Sequence, residues 1–407
     1  MLPLLAHAFD LALTASAGAV GLLAGWFALE ALLGSSEPRP APLSEPLRRP
    51  AGVKVGVLVP AHNEAAQIGE TLRSILGQLN KGDTLLVVAD NCTDNTAAIA
   101  RAMGAEVVER HDTERRGKGF ALDFGWQHLA RRHDITHVVM VDADCLLAPD
   151  AMAHLIAACA QSGQPTQARY LMQAPQDAGL KVRVAEFAWL VKNQIRPLGM
   201  HRLGLPCHLT GSGMAFPVSV LRDVPLASGN LVEDMQLGLD LAQKGHAPRY
   251  CHEALVTSTF APTDAGLQSQ RQRWEHGHLQ TIATQVPSLL RCALQRRDLR
   301  LAMLALDLGI PPLASLVILT GLVALLSALW CLWSGAWTAL GLALMALGLL
   351  TVGVITAWGT QGRKALSARE LVAIFPYLIQ KLPLYRSFFA KRQVSWVRTA
   401  REEHGEP

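Results

Sequence analysis

The chain has 407 residues, half of them hydrophobic and only 17% charged; a soluble domain carries about a quarter charged residues, so long uncharged stretches must lie within it. A net charge of +4 from 37 dispersed basic residues excludes a nucleic-acid binder that rests on one concentrated basic face. Seven cysteines stand singly with no C-x-x-C pair, which supports neither a disulfide framework nor a zinc site and fits a reducing compartment.

Residues 11–29 (LALTASAGAVGLLAGWFAL) carry no charge; as a helix they reach ~29 Å, about the hydrocarbon thickness of a bilayer. The leading MLPLLAHAFD has no basic residue and no clear small-residue cleavage site succeeds the apolar run. The expectation is a retained transmembrane helix within 1–34 rather than a signal peptide. Residues 35–52 read as a Pro-rich linker whose Arg39, Arg48 and Arg49 place it, together with the domain it leads into, on the cytoplasmic side.

Residues 53–285 alternate apolar and helical runs: VKVGVLVP, EAAQIGETLRSILGQL, TLLVVAD, NTAAIARAMG, AEVVER. This βαβαβ rhythm predicts an α/β domain with a Rossmann-like, mostly parallel sheet, its ligands beyond the carboxyl ends of the strands. Residues 286–312, with Arg291, Arg296, Arg297 and Arg300 beside leucines, read as interfacial helices. The uncharged runs 313–333 and 335–358 predict a transmembrane α-helical hairpin over 313–358. Residues 359–407 form a basic and aromatic tail that agrees with the positive-inside rule; its Pro-interrupted run 371–385 reads as interfacial or re-entrant. The whole is a multi-pass inner (cytoplasmic) membrane protein with a cytoplasmic α/β domain and an outer amino terminus.

Polar residues gather at the expected strand ends. The first strand runs into Pro60-Ala61-His62-Asn63-Glu64 and the second into Asp90-Asn91-Cys92-Thr93-Asp94-Asn95-Thr96. Singly, Asn63, Asp94 and Thr96 read as turn or cap residues; together the two ends can hydrogen-bond a base and ribose. A third strand, THVVMVDADCLL, is expected to point Asp142 and Asp144 the same way, where two carboxylates repel unless a cation joins them. All-oxygen ligation suits Mg²⁺ or Mn²⁺, which can bridge to donor phosphates; a turn or helix cap is the alternative for an isolated Asp-x-Asp.

Glu233-Asp234 reads as a functional acidic pair or as the acidic first turn of the helix MQLGLDLAQKG. Trp274 reads as a sugar platform, a core residue or a membrane-interface anchor. The loop around Gly211-Ser212-Gly213 lets backbone approach a ligand and is expected to border the acceptor; it lacks the spacing of a serine hydrolase elbow. Gly117-Lys118-Gly119 matches neither a P-loop nor a dinucleotide fingerprint. His276 and His278, at i and i+2, fall on different helix faces and read as surface or phosphate-proximal rather than metal ligands.

In this order, VGVLVPAHNE, ADNCTDNT, RRGKGFAL, VDAD, Val232-Glu233-Asp234 and Gln270-Arg271-Gln272-Arg273-Trp274 resemble the family 2 glycosyltransferases of the GT-A fold. The likeness is to the membrane-bound branch of cellulose, hyaluronan and poly-N-acetylglucosamine synthases and related exopolysaccharide enzymes, and it covers residues 53 to about 280.

The resemblance implies that Ala61, Glu64 and Asp90 contact the uridine of the donor, Lys118 lies near the base or diphosphate, Asp142 meets the ribose and phosphate, and Asp144 holds the metal. It implies that Asp234, beside Glu233, is the base for inverting attack. Gln270, Arg273 and Trp274 would form a Q-x-x-R-W element, with Arg273 near the diphosphate and Trp274 stacked on the acceptor sugar. The chain departs from polymer-conducting relatives in having three expected spans and TGSGMA before the acidic pair. Single transfer from a UDP-sugar to a lipid-linked or glycan acceptor is therefore favoured over processive synthesis. The expected partners are the nucleotide sugar, the acceptor, membrane lipid and subunits of a polysaccharide export or assembly system, and no nucleic acid. The readings from other classes are a non-catalytic nucleotide-sugar-binding scaffold, against which Asp142, Asp144 and Asp234 count, and a nucleotidyltransferase, against which the Q-x-x-R-W element and the hairpin count.

Overall fold

The computed structural model of the protein describes residues 2–36, 49–227, 229–230, 232–261 and 264–374. Most of the Pro-rich linker, the basic tail and nearly all of the 371–385 run lie outside the described residues.

In chain order the elements begin with helix α1 (Leu2–Gly34), β1 (Val55–Ala61), α2 (Ile68–Leu76), β2 (Thr84–Asp90), α3 (Thr96–Ala102) and β3 (Glu106–Arg110). They continue with α4 (Lys118–Leu129), β4 (His137–Met140), β5 (Leu146–Leu147), α5 (Ala151–Ser162), β6 (Thr166–Gln173), α6 (Leu180–Leu190) and α7 (Arg196–Arg202). Then come β7 (Met214–Pro217), α8 (Val218–Leu221), α9 (Glu233–Gln243), β8 (Arg249–Thr259), α10 (Asp264–Arg296), α11 (Leu299–Leu308), α12 (Leu313–Ser334), α13 (Thr338–Thr360) and α14 (Ala368–Val372). Contacts divide the chain into two compact units: 1–37, 179–204 and 278–391, and 38–178, 205–277 and 392–407.

The second unit is built on one eight-stranded sheet of order β3-β2-β1-β4-β7-β6-β8-β5. β3, β2, β1 and β4 are parallel, as their apolar runs predict. β7 is antiparallel to both β4 and β6, and β8 returns parallel to β6. The continuous burial of β1 and β2 is that of strands covered on both faces. Leu58, Val88 and Met140 of the sheet pack with Leu122, Trp126 and Leu129 of α4 and with Leu237 and Leu241 of α9. That packing fixes the amino ends of α4 and α9, which carry Lys118 and Glu233-Asp234.

β4 ends at Met140, so Asp142 and Asp144 stand past the strand, not on it. The amide of Cys145 donates to the carbonyl of Asp142 at 3.1 Å, and this i to i+3 bond closes a turn that carries both carboxylates.

The first unit is helical. α1, α12 and α13 are the helices, among the described residues, that are long and apolar enough to cross a membrane. Ala17, Ala24 and Ala31 recur every seventh residue along α1 and are buried with Ala343, Ala346 and Leu350 of α13; small residues let apolar helices approach closely. Residues 179–204, which fall inside the expected 53–285 domain, belong to this unit instead, because Phe187, Val191 and Ile195 join its apolar core. A single helix, α10, runs across the expected boundary at 285.

Candidate active site

Three strand ends carry the polar residues. Asn63 after β1 and Asn91 after β2 have positive φ of 54° and 51°, a backbone region that Asn tolerates better than most residues. Asn63 Oδ1 accepts from the amide of Thr93 at 2.7 Å, and Thr96 Oγ1 accepts from the amide of Glu64 at 2.8 Å. Asp94 accepts from the amides of Ala65 and Thr96 at 3.1 and 3.0 Å. Asn63, Asp94 and Thr96 thus fill the turn and cap roles, tying the two loops into one rim. Burial pushes Asp94 up, but the hydrogen bonds from Thr96 and Ala65 outweigh it and hold the carboxyl below its usual range.

Asp90 closes β2 and is buried, 6% exposed. Its Oδ1 accepts from Arg110 Nη1 at 2.7 Å and from Asn91 Nδ2 at 3.0 Å. Burial raises its pKa above the usual carboxylate value against the pull of Arg110. Arg110 also pairs with Asp112 at 3.1 Å and donates to the carbonyl of Arg115 at 2.6 Å. His62 Nδ1 donates to the Asp90 carbonyl at 2.7 Å. The sequence did not single out Arg110, and it showed His62 only as a member of the polar run after the first strand. The signal for Arg110 was the register, since Asp90 and Arg110 are facing partners at the ends of adjacent parallel strands.

At the centre Lys118 Nζ lies 2.5 Å from Asp142 Oδ1 and 4.0 Å from Glu233 Oε1, and donates to the Gly211 carbonyl at 2.7 Å. Gly211 has φ +101°, and a Cβ there would stand 3.1 Å from Asp234 Oδ2. Lys118, Asp142, Gly211, Glu233 and Asp234, from separate stretches of the fold, therefore meet in one place.

Burial pushes Asp142 up to about 6 and Glu233 to about 7; Asp144 adds to the first and Asp234 to the second, while Lys118 opposes both. Burial lowers the Lys118 pKa, but Asp142, Glu233 and Asp234 outweigh it and hold the ammonium charged, above its usual value. Ser212 is fully buried and its Oγ accepts from the amide of Asp142 at 3.0 Å, so the hydroxyl pins the loop to the turn. Gly213, at φ +68°, packs where a Cβ would be 2.8 Å from that of Ala168.

Asp142, Asp144 and Cys145 can bring one ligand atom each within 4.8 Å of one another. Burial lifts the Cys145 thiol well above its usual pKa, and its sulfur is a soft donor that a hard cation does not favour. The two carboxylates then offer the oxygen donors that a hard divalent cation prefers.

Next to Lys118 and Asp234 opens a cleft of about 170 Å³, walled by Leu122, Met214, Leu226 and Leu237 and reaching Gln236 and Asp240. Ala61 closes β1 and is buried, while Glu64 stands next to it in the rim. Gln270, Arg273 and Trp274 lie half-buried on the first turns of α10. Among the described residues, Gln270 Oε1 and Arg273 Nε are buried atoms without a hydrogen-bond partner. His276 and His278, expected at the surface or near phosphate, are buried at 2% and 6% exposure, so the surface alternative does not hold.

A family model, glycosyltransferase like family 2, matches residues 50–277. The 4,4'-diaponeurosporenoate glycosyltransferase of Staphylococcus aureus is 36% identical over 104 residues, 25% of this chain and 26% of that protein; the match spans about a quarter of the length of such curated relatives. Among solved structures, a mannosyltransferase from Pyrobaculum calidifontis, in complex with GDP-Man and Mn²⁺, superposes with a TM-score of 0.52 at 22% identity over 95% of this chain and 100% of that one. The fold is thus that of GT-A glycosyltransferases with added apolar helices, and the chain belongs to the glycosyltransferase-like family 2.

Proposed function

We propose that the protein is an inverting, metal-dependent glycosyltransferase that draws a sugar from a nucleotide diphosphate donor at the cytoplasmic face of a membrane. It hands that sugar, one at a time, to a lipid-linked or glycan acceptor of cell-surface polysaccharide assembly. The observation that carries this reading is the convergence of Lys118, Asp142 and Asp234 on Gly211, one turn from Asp144.

The strand-end rim of Ala61, Glu64 and Asp90 holds the nucleoside, with the Asp90 carboxylate held in place by Arg110. Lys118, kept cationic by its carboxylates, meets the diphosphate. Asp144, with Asp142 beside it, would hold Mg²⁺ or Mn²⁺, whose charge stabilises the departing diphosphate. Asp234 removes the proton of the acceptor hydroxyl. The acceptor oxygen then bonds to the anomeric carbon on the face opposite the breaking bond to the diphosphate oxygen, and configuration inverts. Glu233, Gly211, Ser212 and Gly213 shape this floor. Arg273 faces the diphosphate and Trp274 the acceptor sugar in this reading, and the unpaired Gln270 Oε1 and Arg273 Nε are what a ligand-binding element leaves open. In this reading α1, α12 and α13 are membrane spans, and subunits of an export or assembly system are the expected partners.

The test is release of nucleoside diphosphate from UDP- and GDP-sugars by membranes carrying the wild type or Asp234→Asn, with Mg²⁺, Mn²⁺ or chelator. GDP-sugars belong in the panel because the Pyrobaculum structure holds GDP-Man. Turnover of one donor that needs metal and is abolished by the substitution supports the reading, and product size on a gel separates single transfer from polymerisation. Tight donor binding with no turnover on native acceptors points to a binding scaffold. A product with retained configuration rules out the role given to Asp234.

A further inference from the structure

The cleft beside the catalytic carboxylates is lined along one side by a single face of α9. Glu233, Gln236, Leu237 and Asp240, at i, i+3, i+4 and i+7, all border it. The rest of the lining includes the exposed Pro225 and Ala227, over the core side chains Leu122 and Met214. At the end away from Lys118, Gln236 Nε2 donates to Asp240 Oδ1 at 2.8 Å. That bond leaves the other carboxylate oxygen and the Gln236 carbonyl as acceptors.

We propose that this cleft receives the transferred sugar as a neutral pyranose, and that Asp240 with Gln236 sets the preference against acidic sugars. The inference rests on the glycosyl-transfer reading, in which Lys118 meets the diphosphate; the sugar one bond further on then enters the adjoining cleft. Two features of the lining select the class. Pro225 and Ala227 offer exposed apolar surface to ring carbons, while the far end offers acceptors to ring hydroxyls, which are donors. Asp234 and Asp240 also line the cleft with Glu233, and Lys118 is the one basic side chain among the lining residues. A uronate carboxylate would enter against like charge, which is how sites reject a wrong ligand.

The alternative is that Gln236 and Asp240 form only an i to i+4 pair stiffening the helix. Asp240→Asn separates the two, because it preserves size and hydrogen bonding and removes the charge. The experiment is calorimetric binding to the purified full chain in detergent, with Mn²⁺, of UDP-glucose against UDP-glucuronate and of GDP-mannose against GDP-mannuronate. In the wild type the neutral member of the binding pair is expected to be at least about tenfold tighter, and Asp240→Asn should shrink that ratio severalfold. The ratio of rates of nucleoside diphosphate release should move the same way. Equal binding of both members, or a ratio that Asp240→Asn leaves unchanged, overturns the inference while leaving glycosyl transfer intact. No binding by any of the four overturns both.

Discussion

Lys118 Nζ stands 2.5 Å from Asp142 Oδ1 and bonds the Gly211 carbonyl, so one ammonium joins the turn after β4 to the loop before β7 and faces the amino end of α9. Without it, Asp142, Glu233 and Asp234 would crowd together uncompensated. Lys118→Met should raise the dissociation constant for the donor at least about tenfold and cut nucleoside diphosphate release by about a hundredfold. Lys118→Arg should restore little, since the planar guanidinium cannot fill a site shaped for a compact ammonium. Calorimetry with the full chain reads the first effect, and wild-type affinity in the Met variant would remove Lys118 from the donor site.

Gly211 supplies the second restraint. Its φ of +101° strains any other residue, and an added Cβ would lie 3.1 Å from Asp234 Oδ2. Gly211→Ala is expected to cost about 1–2 kcal/mol in stability and, by displacing Asp234, to reduce turnover more than about tenfold. Thermal unfolding alongside donor binding separates the two effects. Lost turnover with near-normal binding is the expected pattern, and unchanged turnover contradicts the positioning role.

Asp90 and Arg110 are both under 10% exposed, which makes breaking the pair different from replacing it. Arg110→Met strands a buried carboxylate and should destabilise the protein by ~3–5 kcal/mol, whereas Asp90→Leu with Arg110→Met should recover most of that loss. The double variant should fold and still fail to bind a nucleotide. Nucleotide binding at wild-type affinity by that variant would exclude Asp90 from the nucleoside site.

What the sequence made legible was local. The apolar runs of β1, β2 and β3 set their parallel half of the sheet, the polar strand ends pointed to Asp90, Asp142 and Asp144, and the acidic start of a helix pointed to Asp234. What it hid was non-local. The α6–α7 segment carries Lys181, Arg183, Glu186, Lys192 and Arg196, so by composition it does not stand out as part of an apolar helical core. The spacing of Phe187, Val191 and Ile195 acquires meaning only against the apolar core they join. Arg110 and Asp240 likewise depend on strand register and on which face of α9 meets the cleft. The Asp142–Cys145 turn was missed because the apolar run continues past Met140 while the hydrogen-bond ladder does not.

The rim formed by Asp94 titrates. Its folded pKa is depressed, so its contribution to stability is present above the unfolded value of about 3.9 and is lost as pH falls through the folded value. Asp94→Asn should therefore lower the thermal midpoint at about pH 7, and the difference from wild type should shrink as pH falls through the folded value. A difference independent of pH would assign the effect to shape rather than charge.

In the helical unit Arg196 Nε donates to Glu30 Oε2 at 2.7 Å, and its Nη2 bonds the carboxylate and the carbonyl of Asp307. The three side chains come from α7, α1 and α11 and are buried, so the guanidinium ties a membrane-span helix to two others. Two carboxylates on one cation leave no slack: Arg196→Met removes the positive charge and should cost ~3–5 kcal/mol. Replacing all three by apolar residues of similar volume (Glu30→Met, Arg196→Met, Asp307→Leu) should be near neutral in stability, because the desolvation of each ion disappears with it. Loss of secondary structure on heating the full chain in detergent measures both. A single variant that melts with the wild type would mean that the triad adds nothing to stability. A triple variant that melts as early as the single one would mean that the ion network, and not apolar packing, holds α1 against α7.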